Sequence, residues 1–394
     1  MTEQIYVPET MQALHLPPGP YDGGGGARGA ALLIYETDIP VPIPSPTQYL
    51  IKVQTAIPCV GEILSLTCNE DPTSIVDGDR AHGPIPGHEF SGKVISTPTE
   101  DHFNASGPRF KVGDDVFGLL SFERDDGAAA EYCLATQNEM AFKPTNVSAA
   151  EAVTIPLAAL TAWQALFVHA GLDPDDGGCN RPADGPLRVL ITNAVGSEIG
   201  RMALSLLRCR SLFPDHSSHM MGGGPRETAV WVCATGSRDE LDVLRKQSGA
   251  DAVTAATDIA AAFRENSWEP VDIVFDCLGN GGASLRQMHS PVVVKDHGHV
   301  LTICHPQSAH PDKPSERDER AEIRARNLTS EVVIVKPNGH QLAKIARLVE
   351  KRELKPAKCY QVVDLLQAQE AMIQAERENG PKGKVILRVD PTMD

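Results

Sequence analysis

The stretch from Leu187 to Leu204 constrains the fold of this chain more than any other. It reads LRVLITNAVGSEIGRMAL, in which an apolar run typical of a buried strand is followed by a turn of small residues. An amphipathic pattern then predicts a helix that begins at about Glu198. The turn and the helix N-terminus direct backbone N–H groups toward one point, an arrangement that suits a bound pyrophosphate.

This turn has the pattern A-x-x-S-x-x-G, so Ser197 stands where the usual dinucleotide-binding pattern has a glycine. A tight strand–helix connection without any ligand has the same local sequence, so the neighbouring elements must decide between the two interpretations. We predict that the turn contacts a dinucleotide cofactor through six consecutive residues: Ala194, Val195, Gly196, Ser197, Glu198 and Ile199.

Strand-like and helix-like segments alternate from Leu187 onward. Strands rich in Val, Ile and Leu that alternate with helices are typical of a doubly wound parallel sheet. Such a sheet binds dinucleotides at the carboxyl ends of its strands, so Cys277, Leu278, Ile303 and Cys304 are expected to contact the cofactor. Six strands are predicted, at residues 187–192, 229–234, 252–254, 271–275, 300–303 and 332–335.

The first part of the chain has a different pattern, in which short strand-like runs alternate with Pro- and Gly-rich turns. This pattern is typical of a partly closed β domain. The segment after the sixth strand is too short to form a domain, so we expect it to return to the N-terminal one. Short strands are predicted at 49–55, 89–96, 115–118 and 128–134, and surface insertions at 23–29, 173–185 and 212–227.

The composition excludes several classes of partner. A net charge of −16 disfavours nucleic acids and anionic membrane surfaces, because both would repel the chain. Long apolar runs and an N-terminal signal pattern are absent from the sequence, so no membrane span or secretion is expected. Nine scattered cysteines indicate reduced thiols rather than a disulfide framework, and we therefore expect a cytoplasmic protein.

Five motifs occur in an order that resembles the medium-chain dehydrogenase/reductase superfamily over nearly the whole chain. The run LTAWQ from Leu160 resembles its zinc-free quinone-reductase and enoyl-reductase branch, and the closing GKVILRV resembles fungal trans-acting enoyl reductases of polyketide pathways. The resemblance implies a GroES-like catalytic domain at 1–160 and 340–394 and a Rossmann domain at 161–339. The motifs are Gly87–Gly92, Phe110–Gly118, Gly127–Tyr132, Ile155–Leu166 and the phosphate-binding turn.

Zinc-dependent members of this superfamily hold a catalytic metal through three protein ligands. Cys59 and His88 match the first two ligand positions, and Glu62 matches an acidic neighbour of the metal. The third position falls within Ile155–Ala158, which contains only residues that cannot coordinate, and no cysteine lies in 93–111, where a structural zinc would bind. We therefore predict no metal; Cys59 then packs in the fold, and His88 and Glu89 form structural hydrogen bonds.

The segment TGSRD after the second strand indicates which nicotinamide cofactor binds. Sheets specific for NAD have an acidic residue at this position, whereas Thr235 stands directly after the strand here. Ser237 offers a hydroxyl and Arg238 a permanent charge suited to a 2′-phosphate, while Asp239 is interpreted as a first-turn helix residue. NADPH is therefore the predicted cofactor, although an exposed polar turn without a ligand has the same sequence.

The resemblance also implies where the nicotinamide and the substrate bind. Hydride passes from the nicotinamide to the β-carbon of an activated alkene or to a quinone. Pro156, Leu157, Leu160 and His305 would then contact the substrate, and Thr161 the cofactor. From the N-terminal domain, the run Gly61, Glu62 and Ile63 would approach the nicotinamide. No catalytic acid is predicted, because the region after Cys59 lacks the tyrosine that some related enzymes use.

The leading hypothesis is an NADPH-dependent reductase of activated carbon–carbon double bonds that acts on a free or carrier-bound acyl substrate, with a polyketide synthase as a possible partner. A quinone reductase needs the same fold and cofactor. A zinc-dependent alcohol dehydrogenase and a non-catalytic NADPH-binding protein stay open as alternatives. Both a monomer and a homodimer are compatible with the sequence.

Overall fold

The computed structural model divides into two compact units. Unit 1 comprises Met1–Leu157, Lys336–Glu350 and Pro356–Asp394, and unit 2 comprises Ala158–Val335 and Lys351–Lys355. The C-terminal segment thus returns to the unit that contains the N-terminus. The structure describes residues 6–18, 29–68, 82–99, 108–173, 185–213, 229–247, 249–277, 282–303, 314–357, 360–377 and 384–391.

Two sheets form unit 1 in the part of the chain that the structure describes. Strands β1 and β2 pair with each other, and the larger sheet has the order β14-β15-β3-β4-β5-β7, with β6 also paired to β3. Its central strand β3 is buried along almost its whole length. The strands are β1 (Thr10–His15), β2 (Ile34–Pro40), β3 (Tyr49–Ile57), β4 (Glu89–Ser96), β5 (Asp115–Leu119), β6 (Tyr132–Ala135), β7 (Met140–Phe142), β14 (Tyr360–Asp364) and β15 (Lys384–Arg388).

Helices also belong to unit 1 within the described residues: α1 (Val60–Cys68), α2 (Ala149–Ala152), the start of α3 (Pro156–Trp163), α9 (Gly339–Glu350) and α10 (Ala368–Glu376). Helices α1 and α10 supply residues of a large apolar core cluster, and a smaller cluster contains Ile57, Val153 and Ile386. Helix α3 continues as a π-helical segment, Gln164–His169. The run Ala149–His169 is long and apolar enough to cross a membrane, but 83% of its most apolar window is buried, as in the core helix of a globular fold.

A parallel sheet of six strands forms unit 2 within the described residues, in the order β10-β9-β8-β11-β12-β13. Numbered from β8, this is the order 3-2-1-4-5-6 of a Rossmann sheet, so the predicted fold class is confirmed. The strands are β8 (Leu187–Ile191), β9 (Val230–Gly236), β10 (Ala252–Ala255), β11 (Val271–Asp276), β12 (Val294–Thr302) and β13 (Thr329–Val332). The helices are α4 (Glu198–Leu207), α5 (Leu241–Gln247), α6 (Ile259–Glu265), α7 (Gly282–Met288) and α8 (Pro314–Ala325).

Several predicted elements are displaced in the structure. The sixth strand spans Thr329–Val332 and pairs with β12 from His299 to Thr302, so the predicted bounds of 332–335 are wrong. An edge strand pairs on one side only and tolerates polar residues, which hid its first three positions. Of the predicted strand at 128–134, only its end belongs to β6, because Ala130 makes just an isolated bridge to Ala13.

Other elements were not predicted. They are β1, β2, β7, α1, α2, α3 and α8. Strand β12 begins six residues earlier than predicted, because a left-handed residue, His297, and a glycine interrupt its apolar pattern. Most of each predicted insertion lies outside the described residues, which omit 19–28, 174–184 and 214–228.

Candidate cofactor site

The predicted phosphate-binding turn connects β8 to α4. Asn193 adopts a left-handed conformation, with φ of 48°, two residues after the end of β8. The N–H of Ala194 donates to the carbonyl of Thr235 at 2.9 Å, which fixes the turn against the end of β9. A side chain at Gly196 would collide with the Asn193 carboxamide, so a larger residue here requires the Asn193 side chain to shift.

Ser197 caps helix α4. Its backbone is extended, and its Oγ accepts a hydrogen bond from the N–H of Gly200 at 3.3 Å. A Cβ at Gly200 would lie 2.8 Å from the carbonyl oxygen of Asn193, so glycine is required for the helix to pack on the turn. The residue that replaces the usual glycine therefore has a local role as an N-cap. The contact of Ser197 with the cofactor stays a prediction.

A buried hydroxyl–carboxylate network joins the carboxyl ends of β8, β11 and β12. Thr192 donates to Asp276 Oδ1 at 2.7 Å, and Thr302 donates to Asp276 Oδ2 at 3.0 Å. The N–H of Cys277 donates to the Thr192 hydroxyl at 2.9 Å. The network fixes three strand ends at the sheet edge where dinucleotides bind. Sequence reasoning missed it, although a polar residue ends each of these apolar runs.

The short helical turn Arg238–Glu240, which follows β9, contains an acidic residue that sequence reasoning also missed. Glu240 Oε2 accepts hydrogen bonds from Ser237 N at 2.8 Å and from Ser237 Oγ at 2.9 Å. Glu240 Oε1 lies 3.2 Å from the position of a Cβ on Gly196, which places the carboxylate beside the phosphate-binding turn. Arg238 is exposed. The pattern S-x-x-E, a capping box, is the signal that would have found Glu240.

In unit 1, the predicted run Gly61, Glu62 and Ile63 forms the first turn of α1. Gly61 is exposed and Ile63 is buried. Glu62 accepts hydrogen bonds from the N–H groups of Cys59 at 3.1 Å and Gly87 at 2.8 Å. The Glu62 carboxylate therefore connects α1 to the segment that precedes β4.

The residues that match zinc-ligand positions do not form a three-ligand site within the described part of the chain. His88 Nδ1 lies 2.7 Å from Glu62 Oε1, and the His88 ring packs against Phe122. Burial of its sulfur raises the pKa of the Cys59 thiol. Among the described residues, no group of three His, Cys, Asp or Glu side chains is arranged to hold a metal.

The start of α3 is held by a buried ion pair. The N–H of Leu157 donates to Glu89 Oε1 at 3.0 Å, and Lys384 Nζ lies 2.7 Å from Glu89 Oε2. The same ammonium donates to the Thr154 carbonyl at 3.1 Å. Glu89 thus positions the first turn of the helix that contains the predicted substrate residues.

The remaining predicted site residues differ in exposure. Pro156, Leu160 and Thr161 are buried, and Leu157 and Ile303 are partly exposed. Cys277 is buried at the end of β11. Val195, Glu198 and Ile199 are partly exposed in the turn and the first helical positions, whereas Ala194 is buried. Leu278, Cys304 and His305 lie outside the described residues.

A Rossmann sheet with a glycine-containing turn at a helix N-terminus defines a dinucleotide-binding protein. A family model described as zinc-binding dehydrogenase matches residues 248–387. A probable zinc-binding oxidoreductase, mitochondrial, of Arthroderma benhamiae is 30% identical over 362 residues, which are 88% of this chain and 91% of that protein. The chain belongs to the medium-chain dehydrogenase/reductase superfamily and is an oxidoreductase of that superfamily, whose members use nicotinamide cofactors.

Two further proteins are similar to this chain. A quinone-oxidoreductase homolog, chloroplastic, of Spinacia oleracea is 32% identical over 194 residues, covering 48% of this chain and 51% of that protein. The crystal structure of CurK enoyl reductase has the same fold, with a TM-score of 0.68, 18% identity, and coverage of 97% of this chain and 100% of that one. Because the two relatives named above are described as mitochondrial and chloroplastic, the cytoplasmic location stays a prediction.

Proposed function

We propose that this protein is an NADPH-dependent reductase of activated carbon–carbon double bonds. The observation that carries the proposal is the phosphate-binding turn between β8 and α4, beside a strand end where Arg238 is exposed. The N-terminus of α4 would hold the pyrophosphate, and Ser237 and Arg238 the 2′-phosphate. Bound NADPH supplies a hydride.

The chain's own residues position the reaction rather than supply a metal. Glu89 holds the first turn of α3, and the Asp276 network fixes the strand ends that carry Cys277 and Ile303. No catalytic acid is assigned. The lack of a three-ligand group among the described residues supports hydride transfer without zinc over alcohol oxidation at a metal centre.

Quinone reduction is the second candidate, and it is favoured by the similarity to the quinone-oxidoreductase homolog of Spinacia oleracea. The similarity to CurK extends to the fold alone. We further propose that the alkene substrate is a free or carrier-bound acyl group, with a polyketide synthase as a partner in the second case, and that the protein is a monomer or a homodimer.

Three substrates separate these functions. NADPH oxidation, followed by its absorbance, is measured with an enone, with a quinone, and, in reverse with NADP⁺, with a primary alcohol. Turnover of the enone supports the proposal, and turnover of the quinone alone supports the second candidate. Alcohol oxidation that depends on bound zinc, or cofactor binding without any turnover, would refute both. Metal content of the purified protein is determined in parallel.

The assignment of NADPH has its own test. In Arg238→Glu, a carboxylate replaces the cation beside the 2′-phosphate, and we expect NADPH to bind at least about tenfold more weakly. Arg245→Glu on α5 is the control, because it makes the same charge change at an exposed position, where the guanidinium lies 3.5 Å from Asp242. Equal NADPH affinity in the two variants, measured by fluorescence titration, would contradict the assignment.

A further inference from the structure

Glu240 lies between the two parts of the candidate cofactor site. One carboxylate oxygen is 3.2 Å from the position of a Cβ on Gly196, in the turn that would hold the pyrophosphate. The other is 3.0 Å from the position of a Cβ on Gly236, at the end of β9. In a Rossmann sheet the adenosine ribose binds beyond that strand end. The Glu240 charge is therefore close to any group on the ribose 2′-position.

The same carboxylate also occupies the donors of Ser237. Both the N–H and the hydroxyl of Ser237 donate to Glu240 Oε2, at 2.8 and 2.9 Å. A hydroxyl hydrogen donated to Glu240 is not available to a phosphate. A 2′-phosphate must therefore displace the carboxylate from Ser237 and then stay close to a like charge, whereas a ribose 2′-hydroxyl can donate to it.

We propose that Glu240 is a cofactor-specificity residue that weakens the binding of NADPH relative to NADH. The inference rests on the proposed function, since it concerns the same nicotinamide site. Arg238 attracts the 2′-phosphate and Glu240 opposes it, so the balance of the two charges sets the ratio of the two affinities. The preference for NADPH over NADH is then weaker than the segment TGSRD alone would predict.

Glu240→Gln tests this proposal without removing the local structure. A glutamine oxygen can accept the same two bonds from Ser237, because glutamine also serves in capping boxes. Asp239→Asn is the matched control, since it removes one charge from the preceding, exposed residue of the same turn. Thermal unfolding midpoints of the three proteins verify that each is folded.

Dissociation constants for NADPH and NADH are measured by fluorescence titration, without any substrate. Removing one like charge at short range is expected to tighten NADPH binding about tenfold in Glu240→Gln and to change NADH binding by less than about threefold. Asp239→Asn is expected to leave the ratio of the two affinities unchanged. An unchanged ratio in Glu240→Gln, or the same shift in both variants, overturns the proposal while leaving NADPH binding in place. If the wild-type protein binds neither cofactor, the proposed function itself fails.

Discussion

At the scale of single residues, Glu89 and Lys384 form a buried ion pair in unit 1. Its side chains are 3% and 15% exposed, and Lys384 Nζ lies within 3.0 Å of both carboxylate oxygens. Removing both charges from water is costly, and hydrogen bonds to Leu157 and Thr154 offset part of that cost. Breaking the pair from one side would leave a charge buried without its counter-ion.

Lys384→Met makes that one-sided change. We expect it to lower the free energy of unfolding by about 3 kcal/mol, because the Glu89 carboxylate stays buried. Lys93→Met is the control: its partner Asp115 is 2.8 Å away, but the two side chains are 41% and 47% exposed. Such a surface pair contributes at most about 1 kcal/mol. Equal losses in urea unfolding of the two variants would show that burial of Glu89 has no such cost.

The candidate site was predictable from the sequence where its residues are consecutive. The turn from Ala194 to Ile199 is determined by local sequence, and its neighbours along the chain identify it. The contacts of Glu89 with Lys384 and of Asp276 with Thr192 join residues 295 and 84 positions apart. No spacing rule relates such positions, since the fold alone brings them together. Glu240 was missed for a different reason, because its side chain folds back from a helical turn.

At the scale of elements, the junction of the phosphate-binding turn with α4 depends on close packing. A Cβ on Gly200 would lie 2.8 Å from the Asn193 oxygen and 3.0 Å from the Ala194 Cα, both of which are backbone atoms. Backbone atoms cannot move aside as a flexible side chain can. The steric requirement at this position therefore opposes the ordinary preference of a helix for alanine over glycine.

Gly200→Ala measures which effect is larger. Helix propensity alone would stabilise the variant by about 1 kcal/mol. Overpacking against a fixed backbone costs about 1–3 kcal/mol, and we expect this cost to prevail and to lower the unfolding midpoint of unit 2. Ser205→Ala, later in the same helix, is the control and should be neutral or slightly stabilising. An increase in stability of Gly200→Ala in urea would show that the turn can shift away.

Secondary structure was predicted well where apolar strands alternate with amphipathic helices. β4 matches its predicted bounds, and β8 and β11 match to within one residue. Two elements lack this contrast: α8 is rich in charged residues and was not predicted, and β13, an edge strand whose first three residues are polar, was predicted with wrong bounds. Their positions depend on neighbouring elements, which a local pattern does not report.

At the scale of the whole molecule, both units bury cysteine thiols that favour the neutral form. Burial raises the pKa of Cys133 in unit 1, and it raises the pKa of Cys209 and of Cys233 in unit 2 to about 12. The ordinary value is 9.0. Each thiol therefore keeps its proton in the folded state at a pH at which the unfolded chain has lost it.

This difference makes the stability of the fold fall in alkaline solution. Below pH 9 the contribution of each buried thiol is fully present, and it is lost as the pH rises from 9 toward about 12 for Cys233. In that window each thiol lowers the free energy of unfolding by about 1.4 kcal/mol per pH unit, because only the folded state binds its proton. Urea unfolding in the presence of a reductant, at pH values between 7 and 11, measures the slope.

Cys233→Ala separates this effect from other groups that titrate above pH 9. The variant is less stable at every pH because it loses buried side-chain volume. Above pH 9, however, its free energy of unfolding should fall less steeply with pH, because one titrating thiol has been removed. Below pH 8 the two stability curves should run parallel, because both states then bind the thiol proton. Curves that stay parallel up to pH 11 would mean that the Cys233 thiol ionises in the folded protein as readily as in the unfolded chain. Solvent would then reach the Cys233 side chain on β9.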